Sequence, residues 1–298
     1  MSGIRLAAAP LGRSSLPLIA VLFGLAAVGW VVTGERMAGM DAGPGTDPGA
    51  LGFFLTTWVV MMGAMMFPSV APMVIAYDRI RQRRRDLGKS ASAGGTALFV
   101  GGYVASWAAF GLLGWTIFRA SSEVAPNALA WDRGGRYLAG GVIVLAAIYE
   151  LTPAKNACLR RCRTPFSFLF GGWRDGGFGA FRLGLEHGAW CVGCCWALMA
   201  ALFALGVMSV AWMAFVAALI AAEKLLPWAR KTSGGITLLL GVLGLCVALV
   251  PNRVPGLVLP DSAQAREARM TMTPIRMDGM RATPAAMSDR KRADRQRR

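Results

Sequence analysis

The single histidine of the chain, His187, is followed at helical spacing by Cys191, Cys194 and Cys195 within Gly188-Ala-Trp-Cys-Val-Gly-Cys-Cys-Trp-Ala-Leu-Met199. Thiolate and imidazole select soft or borderline ions such as Cu(I) and Zn(II), and three sulfurs with one nitrogen are enough for a closed site. On a helix turning about 100° per residue, the four side chains fall within roughly a 100° arc. Residues of one helix cannot wrap an ion, however, so other segments are expected to add ligands. Cys158 and Cys162, one turn apart in Cys158-Leu-Arg-Arg-Cys162, are the candidates, a donor or acceptor pair beside the primary set His187, Cys191, Cys194 and Cys195. Cys246 stands alone in a later apolar run and reads as packing.

A softer set precedes these. In Trp58-Val-Val-Met-Met-Gly-Ala-Met-Met-Phe-Pro68, Met61/Met65 and Met62/Met66 are each four apart. Their thioethers therefore form a band within about a 140° arc, suited to Cu(I) as a metal path, although Met also fills irregular helix contacts. Pro68 and Pro72 free backbone carbonyls in the same segment. Glu150, in Tyr149-Glu-Leu-Thr-Pro-Ala-Lys155, belongs to this candidate path; a carboxylate there binds a cation, takes up protons, or pairs with Lys155, the last being the expected role. Glu186, next to His187, either orients the imidazole or complements the dipole of the helix start.

The elements that must position these groups are membrane helices. The chain is 55% hydrophobic and 16% charged, with mean hydropathy +0.48, and its apolar residues are gathered into runs long enough to cross hydrocarbon. The expected fold is all-α, a polytopic transmembrane bundle of about seven spans: Leu16 to Val32, Leu51 to Tyr77, Ala97 to Phe118, Tyr137 to Leu151, His187 to Gly206, Ser209 to Leu226, and Gly234 to Val250. Gly188 to Ala222 lacks any charge and is too long for one crossing, which predicts a turn at Gly206-Val-Met-Ser209. Residues 1–15 form a basic N-terminal segment and 16–250 the helical domain. Residues 251–298 form a basic tail, expected to be disordered, whose Met270, Met272, Met277, Met280 and Met287 resemble in composition the thioether motifs that capture copper.

Charge orients the bundle. Arg79, Arg81, Arg83, Arg84, Arg85 and Lys89 lie between the second and third runs, and Lys155, Arg160, Arg161, Arg163, Arg174 and Arg182 between the fourth and fifth. By the positive-inside rule both loops face the cytoplasm, which puts the N-terminus inside and, after seven spans, the C-terminus outside. The net charge of +16 is thereby explained without nucleic acid. Phe166 to Trp173 with Arg174 reads as an interfacial element holding the cysteine loop near the fifth span.

Met-Met-Gly-Ala-Met-Met-Phe-Pro68, the stretch from Tyr149 to Pro165 with its two cysteines, and Gly184-Leu-Glu-His-Gly-Ala-Trp-Cys-Val-Gly-Cys-Cys-Trp-Ala-Leu-Met199 together resemble a bacterial family of metal-binding integral membrane proteins of unknown function. The resemblance runs from about Leu51 to Val250, by the bounds of the spans, and implies metal binding in a bacterial inner membrane. The expected role is binding of a soft transition metal, Cu(I) ahead of Zn(II), for transport, transfer or insertion. Membrane lipids, and a metal chaperone or a membrane metalloprotein, are the expected partners. No Gly-x-x-x-x-Gly-Lys-Ser/Thr phosphate loop occurs, so an ATP-driven pump is not expected. Two other readings remain: a membrane thiol oxidoreductase using Cys191 and Cys194, and a noncatalytic partner in the assembly of a membrane complex.

Overall fold

The computed structural model describes residues 15–44, 47–89, 92, 94–124, 131–226 and 229–272. Its helices are α1 (Leu16–Met37), α2 (Leu51–Asp86), α3 (Gly95–Val124), α4 (Arg136–Glu150), α5 (Pro153–Arg163), α6 (Pro165–Gly172), α7 (Gly176–Gly206), α8 (Val210–Leu225), α9 (Ala229–Leu249) and α10 (Ala263–Met272). No strand occurs among the described residues, and the architecture is an all-α bundle.

Each of the seven apolar runs contains a helix, but they are not equivalent. Five helices, α1, α2, α3, α7 and α9, are long and apolar enough to cross a membrane. By contrast α4 has 15 residues and α8 has 16, or about 22–24 Å at 1.5 Å per residue against about 30 Å of hydrocarbon. The expected count of seven full spans is therefore revised. α4 continues into α5 across a 67° bend at Leu151–Thr152, and with α5 it makes at most a sixth, broken span. The bend has a local cause: Thr152 Oγ1 accepts from the Lys155 N–H at 3.2 Å and Pro153 occupies the first turn, so a new helix starts there.

Both short helices stop partway along α7. Tyr149, near the end of α4, donates from its hydroxyl to the Gly193 carbonyl at 2.7 Å. Lys224, at the end of α8, reaches Cys191. Beyond these ends α5 packs on α7, and α6 meets it through Phe168 against His187, so short helices cover one side of the middle of α7. The expected turn at Gly206 is present, with Gly206 at φ +118° and the Ser209 N–H bonded to the Gly206 carbonyl at 3.1 Å.

Close backbone approach locks the pairs α3–α7 and α4–α9. Gly102 faces the Phe181 carbonyl, Gly184 faces the Phe99 carbonyl, and Gly140 faces Gly244, where added Cβ atoms would collide. Such small-residue contacts are how helices associate where lipid offers no hydrophobic drive. The longest helix, α2, carries Pro68 and Pro72 inside it without ending. At its far end Asp78 accepts from Arg81, Gln82 and Thr96, tying α2 to the start of α3.

The segment after Val250 is described as far as residue 272. It contains a 3₁₀ turn at Pro251–Arg253 and α10, whose Ala265 and Ala268 pack on Ala42. Met270 there is exposed. Met277, Met280 and Met287 lie outside the described residues.

Candidate metal centre

The site begins with two helices brought side by side. α7 supplies Cys191, Cys194 and Cys195, each about 1% exposed, and α5 supplies Cys162. Cys162 Sγ lies 3.7 Å from Cys194 Sγ, and Cys194 Sγ lies 3.4 Å from Cys195 Sγ. The sulfurs of Cys162, Cys191 and Cys194 are all within 4.8 Å of one another. Sulfurs bound at about 2.3 Å to one ion stand about 3.8–4.6 Å apart, so these thiols are near the spacing that shared coordination requires.

Two neighbours make this more than a cluster of small hydrophobes. Lys224 Nζ lies 3.0 Å from Cys191 Sγ. The Tyr103 hydroxyl, from α3, lies 3.2 Å from the same sulfur. An ammonium has donors only, so the Cys191 sulfur accepts in that contact. α5 is clamped in place by Arg163, which donates to the main-chain carbonyls of Glu223 at 3.1 Å and Leu226 at 2.5 Å. Arg161, on the outer side of α5, sits 4.2 Å over the Trp190 ring.

The other residues singled out in the sequence are distributed around this group. His187 is buried one turn before Cys191, its ring against Phe99, Tyr103 and Phe168, and its Nδ1 has no partner. It lies outside the group of three thiols. Cys158 packs on Gly193, where an added Cβ would be 2.9 Å from its sulfur. Cys246 is half-buried on α9. Met61, Met62, Met65 and Met66 are at most 3% exposed and share one continuous core with Cys191, Cys194 and Cys195. Glu150 pairs with Lys155, as its position suggested. Glu186 turns outward to Arg174 at 3.4 Å and Arg182 at 3.2 Å, so it does not orient His187. In α6, Leu169 is buried and Phe168 meets His187, while Phe166 and Phe170 are exposed, as an element with one inner and one outer face requires.

Lys224, Tyr103 and Glu223 escaped the sequence reading. Glu223 and Lys224 end an otherwise uncharged run, and ionisable residues in such a place are a functional signal. Tyr103 gave no such signal, since its role depends on how α3 packs on α7.

A family model described as copper chaperone, PpoB2, matches residues 55–247, well over half of the chain. The chain belongs to this copper chaperone family. The matched region runs from α2 into α9 and holds every residue of the thiol group, the methionine band and His187. Metal binding, expected from the cysteines, thus acquires a named metal, and α1 and the segment after Val250 lie outside the match. No curated protein and no solved structure matches the chain.

Proposed function

We propose that the protein takes Cu(I) as cargo on Cys162, Cys191 and Cys194, with Cys195 adjoining, and transfers it within the membrane to a partner metalloprotein. The observation that carries this reading is the docking of the α5 thiol onto the α7 thiols. A site split between two elements can close on an ion and open to release it. Three sulfurs suit a soft monovalent ion, and the Lys224 ammonium beside Cys191 offsets the negative charge that three thiolates around Cu(I) accumulate. Cys158 and His187, each one turn from a ligand, are the exchange positions through which copper enters or leaves. The buried methionine band offers weaker thioether sites farther along the same core. The charge distribution supports an inner-membrane location with the basic loops, and so α5, on the cytoplasmic side.

Anaerobic purification in detergent followed by Cu(I) titration and X-ray absorption tests this reading. The wild type should bind copper in an all-sulfur environment. Cys162→Ser should remove one sulfur neighbour and weaken binding, because a neutral hydroxyl replaces a soft anion. The combined Cys191→Ser, Cys194→Ser and Cys195→Ser variant should bind none at this site. A metal-free wild type that cycles a Cys191–Cys194 disulfide would overturn the proposal in favour of thiol redox chemistry.

A further inference from the structure

Beside the thiols lies a second buried group that copper ligation does not use. Glu150 at the end of α4, Lys155 in the first turn of α5 and Glu223 near the end of α8 are each at most 1% exposed. Lys155 Nζ donates to Glu150 Oε2 and, at 2.7 Å, to Glu223 Oε2. Ser233 on α9 donates to Glu223 Oε1 at 3.2 Å. Glu150 Oε1 is buried with no partner, and the two carboxylates converge on the one Lys155 ammonium.

Two carboxylates facing one ammonium leave one negative charge uncompensated where water is excluded, a costly arrangement for a purely structural contact. Ionisable groups inside membrane helices more often mark ion or proton movement. The neighbouring charges are committed elsewhere: Lys224 to Cys191, and Arg163 to main-chain carbonyls. Tyr149 donates to the Gly193 carbonyl of α7. Among the described residues, Lys155 and Glu223 are therefore the charged groups facing Glu150. The unpartnered Oε1 is an open position for a proton.

We infer that the Glu150–Glu223 pair is the proton acceptor for copper loading. The inference rests on the thiol site proposed above, because binding of a metal to thiols must displace their protons. As Cu–S bonds form at Cys162 and Cys194, two S–H bonds break. One proton forms an O–H bond on Glu150 and the other leaves to solvent, while copper remains Cu(I) throughout. In this scheme Cys191, which accepts from Lys224, is the thiolate from the start, so entry of one Cu(I) and exit of one proton leaves the total buried charge unchanged. Lys155, Cys158 and Cys162 follow one another at i, i+3 and i+7 on α5, which places the triad and the thiol site along one helix face.

The test uses the full chain in detergent under anaerobic conditions, loaded from a Cu(I) chelate in weakly buffered solution containing a pH indicator. Wild type should release one proton fewer per bound Cu(I) than Glu150→Gln. Its infrared difference spectrum on loading should gain a protonated-carboxyl band that shifts in heavy water and is missing from Glu150→Gln. The band in wild type decides the matter even if the variant does not fold. Copper binding with no new band and equal proton counts overturns this inference alone. A wild type that binds no Cu(I) overturns the copper site, and this inference with it.

Discussion

Replacing Lys155 by Met tests the buried triad independently of copper. At the 2.7 Å separation between Lys155 Nζ and Glu223 Oε2, and an effective dielectric constant of about 20, the attraction is about 6 kcal/mol. Withdrawing an ammonium from water costs several kcal/mol, so this attraction greatly overstates the net stabilisation. Removing Lys155 alone is nevertheless severe, because both carboxylates remain in a site with no counter-charge. The expected destabilisation is about 3–5 kcal/mol, the usual range when one partner of a buried pair is lost. Adding Glu223→Gln to Lys155→Met should recover part of the loss. The neutral triple variant Glu150→Gln/Lys155→Met/Glu223→Gln should approach wild-type stability, since the triad then buries no charge. Reversible unfolding in mixed micelles, followed by tryptophan fluorescence, reads all three. Lys155→Met within about 1 kcal/mol of wild type would refute the view that this lysine holds α4, α5 and α8 together.

Three shorter predictions follow from the packing around the thiols. Gly188→Ala places a Cβ 2.6 Å from Ser106 Oγ and 2.9 Å from the Tyr103 carbonyl, which should cost about 1–3 kcal/mol by overpacking and draw Tyr103 away from Cys191; wild-type values for both melting temperature and Cu(I) affinity would contradict this. Gly193→Ala should weaken copper binding by pushing Cys158 and α5 outward, and Cys158→Ala should restore it in the double variant; if Gly193→Ala binds as wild type does, α5 is not held at this contact. Cys246→Ser should leave copper stoichiometry unchanged in elemental analysis, because that thiol lies on α9 away from the group, and a lost equivalent would place a ligand there.

The elements were legible from the sequence because hydropathy and loop charge report directly on what lipid tolerates. Each apolar run holds a helix, and the Gly206 turn lies where the uncharged stretch becomes too long for one crossing. What hydropathy does not report is whether the end of an apolar helix meets headgroups or protein. α4 and α8 look like spans, yet their inner ends are received by Gly193 and Cys191 in the middle of α7. For the site, clustering of soft ligands singled out Cys191, Cys194, Cys195 and Cys162, and the pairing of Glu150 with Lys155 followed from their closeness in sequence. Glu223 joins that pair across the fold, and Tyr103 joins Cys191 the same way. Long-range polar contacts of this kind leave no periodic trace. The separation of His187 from the thiols is likewise a matter of side-chain direction, since its ring lies among Phe99, Tyr103 and Phe168 although its helix face is shared with Cys191.

Synthesis proceeds from the N-terminus, so α5 is made before α7 and α8. Until α7 is inserted, Cys162 has no sulfur partner on that helix. Until the chain has passed residue 226, Cys191 lacks its lysine, Lys155 lacks its second carboxylate, and Arg163 lacks the carbonyls that clamp α5. A half-made chain therefore presents scattered thiols rather than a chelate. On the copper site proposed above, capture of the ion is a property of the finished bundle, and an emerging polypeptide is spared a premature ion that would cross-link the wrong segments.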